Sequence, residues 1–152
     1  MIKLYNLILF SILLLSCPTH SQQYNFEITN QEKGFPSSSV NKIFKGSNGL
    51  LWYGTEGAGL IRYDGNSFIS HNEYKNTENL FITDIIENFN KELLVATKYR
   101  GLLIFDGNKF INEIKYATIN GAFDSFDQLL KTDKSIYGIS KIEFIVLMIN
   151  TI

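Results

Sequence analysis

The chain is poor in the residues that disulfide frameworks and metal sites need. Its 152 residues include one cysteine, two histidines and two prolines. The single cysteine, Cys17, has no partner for a disulfide within the chain, so the fold depends on packing. Metal sites need clusters of His, Cys or carboxylate side chains at ligand spacing, and the sequence holds no such cluster. We therefore expect no metal-binding and no cofactor-binding residues.

An excess of charge of one sign is also missing. Fourteen Lys and Arg against 15 Asp and Glu give a net charge of −1. This balance lacks the basic footprint of a nucleic-acid binder, so we expect no nucleic-acid partner. What the chain does have is 45% hydrophobic residues, with 12 Phe, 8 Tyr and 11 Gly. That composition supports a buried core and favours strands joined by tight turns.

Residues 1–21 are typical of a secretory signal peptide. A basic start at Lys3 precedes an apolar run over residues 7–15, which is too short for a comfortable transmembrane helix. Two processing routes fit: a cut after Ser21, which is favoured, or lipidation of Cys17 in a lipobox-like sequence. An uncleaved membrane anchor is a third interpretation. Each predicts a periplasmic or secreted protein that meets the membrane only through its leader or lipid.

An internal repeat determines the predicted fold. Residues 40–68 align without a gap to residues 82–110, and Asp106 follows Asp64 by 42 residues. A period of about 40–45 residues made of short strands is typical of four-stranded propeller blades. Ten positions are identical in the two copies: Ile43/Ile85, Asn48/Asn90, Leu51/Leu93, Thr55/Thr97, Gly59/Gly101, Leu60/Leu102, Asp64/Asp106, Gly65/Gly107, Asn66/Asn108 and Phe68/Phe110.

The repeat predicts strands over residues 40–44, 50–55, 60–63 and 67–70, with turns between them. Asp64-Gly65 and Asp106-Gly107 predict tight primed hairpin turns, because Asp-Gly accepts positive φ. The predicted fold is all-β, a partial propeller of about two to two and a half antiparallel blades after a signal-peptide helix. The predicted segments are a lead-in over 22–39, blades over 40–78 and 79–120, and an incomplete third blade with an atypical apolar tail over 121–152.

The tail after about residue 141 lacks the turn signals of a blade. Two interpretations remain. The tail is an ordinary buried strand or helix end, or the reading frame shifted or stopped early so that these residues are not blade sequence; the second interpretation is favoured.

Three stretches, residues 34–40, 49–55 and 59–64, resemble the two-component regulator propeller repeat. The resemblance implies a fragment of the periplasmic sensor of a hybrid two-component system or histidine kinase. Such a sensor binds a small molecule or oligosaccharide, and the kinase activity would lie in domains absent here. The second copy departs from the pattern at Leu94 and Ala96. The residues that carry the repeat pattern are Trp52, Gly54, Thr55, Gly59, Asp64, Gly65, Thr97, Gly101, Asp106 and Gly107.

Few residues suggest chemistry, and each has a structural interpretation beside it. For Trp52, packing between neighbouring blades is favoured over a role as an aromatic platform for a ligand. His71 fits a polar linker loop better than a phosphoacceptor site. Lys98-Tyr99-Arg100 fits a solvated loop or, in a complete ring, a ligand-facing rim. The glycine-rich residues 54–59 precede a strand and lack the ending of a phosphate loop, so they indicate a turn.

The sequence therefore predicts a sensing or binding module with no catalytic residues. The alternatives are a periplasmic carbohydrate-active propeller enzyme and a repeat-based adhesin or scaffold. Open apolar blade faces also predict self-association.

Overall fold

The fold is described here from a computed structural model. The structure describes residues 3, 5, 6, 24–25, 28–73, 79–114, 116–118, 121–123 and 125–140. The predicted leader, apart from Lys3, Tyr5 and Asn6, lies outside these residues, as do Cys17 and the tail after residue 140. Within the described part of the chain, no helix is both long enough and apolar enough to cross a membrane.

Two four-stranded antiparallel sheets form the body of the molecule, each with its strands in chain order. The first holds β1 (Val40–Lys45), β2 (Leu51–Thr55), β3 (Leu60–Tyr63) and β4 (Phe68–His71). The second holds β5 (Ile82–Glu87), β6 (Leu93–Thr97), β7 (Leu102–Phe105) and β8 (Phe110–Ile114). Each strand of the second sheet begins 42 residues after its counterpart, and both first strands carry an irregularity at the same position. The predicted all-β partial propeller is confirmed.

The described residues beyond the second blade form two short hairpins. β9 (Tyr116–Thr118) pairs with β10 (Gly121–Phe123), which the repeat pattern did not predict. β11 (Gln128–Lys131) pairs with β12 (Ile136–Ile139). This strand–turn–strand unit was predicted as the start of a third blade.

The blades are joined by two hydrophobic cores. The first lies between blades one and two. The second lies between blade two and the β11–β12 hairpin. Both faces of blade two are thus buried, which explains why β6 is buried at every position. The innermost strands β1, β5 and β11 lie side by side, with β5 in the middle. The residues of the first core are Trp52, Leu60, Leu80, Ile82, Ile85, Leu93, Val95, Leu103 and Phe105.

The lead-in packs on the other face of blade one. A short 3-10 helix (Gln31–Lys33) ends at Gly34, and buried Phe35 follows it. The Phe35 ring meets the rings of Tyr53 and Phe68 edge-on, each at a centroid distance of 5.2 Å. Ile43 on this blade remains 59% exposed. The lead-in therefore shields part of this apolar face, and self-association through such faces stays a prediction.

The turns between the third and fourth strands are built around their Asp-Gly pairs. Four residues, 64–67, lie between the paired Tyr63 and Phe68. Gly65 has φ +100°, and none of its neighbours in the turn has positive φ. Positive φ at the first central residue alone excludes a type I′ turn but fits type II′, the other primed type. In the second blade, the Asp106 amide donates to the carbonyl of Lys109 at 3.1 Å across the equivalent turn.

Candidate functional site

Trp52 lies in the core between the first two blades. It is 2% exposed, and its ring meets the Phe105 ring of the neighbouring blade edge-on, with the centroids 5.4 Å apart. Such edge-to-face contacts stabilise aromatic pairs beyond the area that they bury. The indole is enclosed by protein, so its role in the described structure is packing rather than ligand stacking.

The repeated threonine and glycine pairs close the turn between the second and third strands. Thr55 Oγ1 donates to the carbonyl of Gly59 at 2.8 Å, and Thr97 Oγ1 donates to that of Gly101 at the same distance. Both threonines are buried, so each hydroxyl satisfies a carbonyl that water does not reach. At Gly59, φ is +73°, and a Cβ would lie 2.6 Å from the His71 carbonyl oxygen. These residues build the blade.

Gly54 permits close contact between the blades. A Cβ on Gly54 would lie 2.6 Å from Ile82 Cγ2, closer than unbonded carbons approach. The equivalent residue of blade two is Ala96, which is buried. Gly54 is therefore fixed by the packing of blade two and not by a ligand.

The two aspartates hold their turns through backbone hydrogen bonds. Asp64 Oδ1 accepts from the amides of Asn66 and Ser67, both at 2.9 Å. Asp106 Oδ1 accepts from the amides of Asn108 and Lys109 at 2.9 and 2.8 Å. These bonds favour the ionised form and lower the pKa of each carboxyl. Both groups serve the turns of separate blades, as Gly65 and Gly107 do through their positive φ.

His71 is not in a loop. It is the last residue of β4, and its ring meets Phe105 edge-on at a centroid distance of 4.9 Å. The predicted linker-loop placement is wrong because the fourth strand runs one residue further than the polar sequence suggested. Burial, followed by the charge of Arg62, lowers the pKa of His71.

The Lys98-Tyr99-Arg100 loop follows β6. Lys98 Nζ lies 4.8 Å from the centre of the Phe81 ring and 5.4 Å from that of Tyr99. The Tyr99 ring is exposed, and the Arg100 amide donates to Thr97 Oγ1 at 2.9 Å. The loop is thus ordered by cation–π and backbone contacts, with an aromatic ring on the surface.

A set of polar side chains on the innermost strands forms the best candidate binding surface. Asn41 and Thr83 occupy equivalent positions of β1 and β5, and each donates from its side chain to the first residues of the next blade. Asn41 Nδ2 donates to the carbonyl of Ile82 at 2.9 Å, and Thr83 Oγ1 donates to that of Phe126. One position further, Lys42 Nζ lies 2.6 Å from Asp84 Oδ1.

Asp84 links all three inner strands. Its Oδ1 also accepts from the amide of Ile85, and its Oδ2 accepts from the amide of Leu129 at 2.7 Å. The carboxylate is buried, and these donors compensate for its lost hydration. A chain of contacts therefore runs from Lys42 on β1 through Asp84 on β5 to β11.

These residues border an open cleft of about 450 Å³, which we call the inner cleft. Its walls combine an amide, a hydroxyl, an ion pair and apolar surface, a mixture suited to holding a polar ligand. Among the described residues, no group of three or more His, Cys, Asp or Glu side chains could hold a metal ion. The inner cleft is lined by Asn41, Lys42, Thr83, Asp84, Asp127, Gln128, Leu129, Leu130 and Ile139.

None of the residues singled out in the sequence belongs to the inner cleft. The available signal was the recurrence of polar residues at positions 41/83 and 42/84, near the start of both first strands. A polar residue that recurs at one strand position in successive blades marks a shared surface. The chain matches no family model and no curated protein significantly.

Proposed function

We propose that the chain is the ligand-binding part of an exported sensor propeller of the two-component regulator type, and that it holds its ligand without chemical conversion. The observation that carries this proposal is the inner cleft, where equivalent residues of successive blades present polar groups to one opening. Propeller blades are arranged around a central channel, so one molecule bound at their innermost strands can contact several blades together.

The ion pair of the inner cleft supports binding over catalysis by Asp84. The Asp84 carboxylate already accepts from Lys42 and from two backbone amides, so it is engaged in joining the blades. Asn41 and Thr83 have hydrogen-bonding groups with lone pairs left for a ligand. A neutral, hydroxyl-rich molecule such as an oligosaccharide suits this surface.

Binding can be tested by NMR with a panel of neutral oligosaccharides added to the purified protein. We expect saturable shifts of backbone amides on β1, β5 and β11, with the sugar recovered unchanged. Asn41→Ala and Thr83→Val should weaken binding, while Asn66→Ala, in an exposed turn, serves as the matched control. Cleavage of the sugar would favour the carbohydrate-active enzyme, and shifts confined to other surfaces would refute the inner cleft.

Export is tested separately by the mass of the N-terminus of protein recovered from the periplasmic fraction. A chain starting at Gln22 supports cleavage after Ser21, and a lipid-modified Cys17 supports the lipoprotein route. An intact Met1 in the cytoplasmic fraction would contradict export by either route.

A further inference from the structure

Two aromatic rings form an exposed corner at one end of blade two. They belong to Phe81, just before β5, and Tyr99, in the loop after β6. The rings meet edge-on, with their centroids 6.2 Å apart and their planes at 80°. Tyr99 is 67% exposed and Phe81 is partly exposed, so both have surface that a ligand in solvent can reach. We call this pair the aromatic platform.

The loop of the aromatic platform is held at its base. Thr97 Oγ1 donates to the carbonyl of Gly101 at 2.8 Å and accepts from the amide of Arg100 at 2.9 Å. The Lys98 amide donates to the carbonyl of Phe81 at 3.0 Å, which joins the loop to the start of β5. The two rings are therefore presented in a fixed arrangement, and a ligand does not have to order the loop when it binds.

Packing within the blade does not require Tyr99. The corresponding loop of blade one has the same length and the same threonine–glycine hydrogen bond, but Gly57 occupies the position of Tyr99. A blade thus forms without a ring at this position, and a largely exposed side chain contributes little to a core. A ring on the surface of an ordered loop is suited to contact with another molecule.

A cation lies beside both rings. Lys98 Nζ is 4.8 Å from the centre of the Phe81 ring and 5.4 Å from that of Tyr99. Both distances are within about 6 Å, the range of a cation–π contact. The ammonium has several donors, so it can donate to a ligand oxygen while it remains near the rings. Apolar ring surface beside a hydrogen-bond donor matches a sugar ring, which has a C–H face and a rim of hydroxyl groups.

The aromatic platform and the inner cleft lie at the same end of the sheets. Ile82, the first residue of β5, pairs with Thr97, the last residue of β6, so the loop after β6 lies beside the start of β5. Thr83, which lines the inner cleft, follows Phe81 by two residues, at most about 7 Å along an extended strand. An oligosaccharide in the inner cleft is therefore close enough to extend to the platform.

We propose that the aromatic platform is a second subsite for the oligosaccharide, where one sugar ring stacks on Tyr99 and a hydroxyl oxygen of that ring accepts a hydrogen bond from Lys98. This inference rests on the proposed function, because the same ligand occupies the inner cleft. Its consequence is selection by length: a chain that reaches from the inner cleft to the platform binds more tightly than a shorter chain of the same sugar.

The test is an NMR titration of the purified protein with neutral sugars of increasing length. The probes are the disaccharide, tetrasaccharide and hexasaccharide of the cello-, malto- and xylo-oligosaccharide series. In a series that binds, we expect the affinity to rise with length and the ring signals of Tyr99 to shift with the longer chains. The amides of β1, β5 and β11 report the inner cleft in the same spectra.

Matched variants identify the stacking contact. Tyr99→Ala should weaken binding of the longest chain about three- to tenfold, as expected for one aromatic contact, and should leave the effect of the disaccharide on β5 unchanged. Tyr99→Phe keeps the ring and should retain the affinity, whereas Lys98→Met removes the donor and should weaken binding of the same chain. Tyr24→Ala removes another exposed tyrosine, in the lead-in, and should change nothing.

The outcomes separate this inference from the proposed function. Shifts on β1, β5 and β11 with the same affinity for the longest chain in Tyr99→Ala would overturn the platform and leave the inner cleft in place. Shifts of the Tyr99 and Phe81 rings without shifts on those strands would support the platform and refute the inner cleft. The absence of shifts at both places with all three series would overturn both.

Discussion

Replacing Gly54 with alanine inserts a methyl group into the interface between the first two blades. The added carbon would lie 2.6 Å from Ile82 Cγ2 and 3.2 Å from Ile85 Cδ1. Carbon atoms in contact are normally about 3.5–4.0 Å apart, so both isoleucines have to move. Both are 0% exposed and enclosed by the first core, so neither can swing into solvent.

Overpacking of this kind costs about 1–3 kcal/mol. The same substitution restricts the unfolded chain, which offsets about 0.4–1 kcal/mol of that cost. We therefore expect Gly54→Ala to reduce the free energy of unfolding by about 1–2 kcal/mol. The result is not obvious from the sequence, because blade two carries alanine, Ala96, at the equivalent position.

Urea unfolding followed by tryptophan fluorescence measures this loss. Trp52 is the only tryptophan and is buried at the same interface, so its emission reports the separation of the blades. Ile82→Ala provides the background control, since it removes the methyl group that the new Cβ would strike. In that background Gly54→Ala should cost less than in the parent protein, because only the milder contacts remain, to Ile85 Cδ1 at 3.2 Å and to the Cβ of residue 82 at 3.3 Å. An equal loss in both backgrounds, or no loss in the parent protein, would refute the packing argument.

Three other perturbations test separate contacts. Asp84→Ala leaves the Lys42 ammonium and the Leu129 amide without this acceptor and should lower the free energy of unfolding in urea by about 2–4 kcal/mol. Lys42→Met should lower it less, and equal losses in the two variants would argue against the shared carboxylate. Thr97→Val removes the hydroxyl that donates to Gly101 and should cost about 1–2 kcal/mol; an unchanged Tm would contradict this. The lowered pKa of His71 adds stability that is complete above about pH 6.5 and is lost as the pH falls through the folded-state pKa. His71→Gln should flatten that part of the stability–pH profile, and an unaltered profile would exclude His71 as its source.

The strands and their spacing followed from the sequence because each copy satisfies the same local rules. Short apolar stretches alternate with turn residues, and every turn of blade one contains a glycine, so the first copy predicts the limits of the second. The observed strand starts repeat at the predicted interval of 42 residues. Residues such as Thr55 and Gly59, which close a turn within one blade, carry a local signal of this kind.

Contacts between blades were harder to predict because they join residues far apart in the chain. Asp84 accepts from the amide of Leu129, 45 positions away, and no local pattern marks that pair. His71 was predicted to lie in a loop because its neighbours are polar, yet the edge of Phe105 fixes it at the end of a strand. The β9–β10 hairpin lies outside the repeat, so the period gave no signal for it.

The stacking of the two blades through their aromatic residues is tested most directly by ring-to-ring NOEs. The Trp52 indole lies between blades, 5.4 Å from the Phe105 ring and 6.2 Å from the His71 ring, measured between centroids. We predict NOEs from the indole protons to both rings, across 53 positions of sequence in the case of Phe105. NOEs within each four-stranded sheet but none between Trp52 and Phe105 would contradict the stacked-blade architecture.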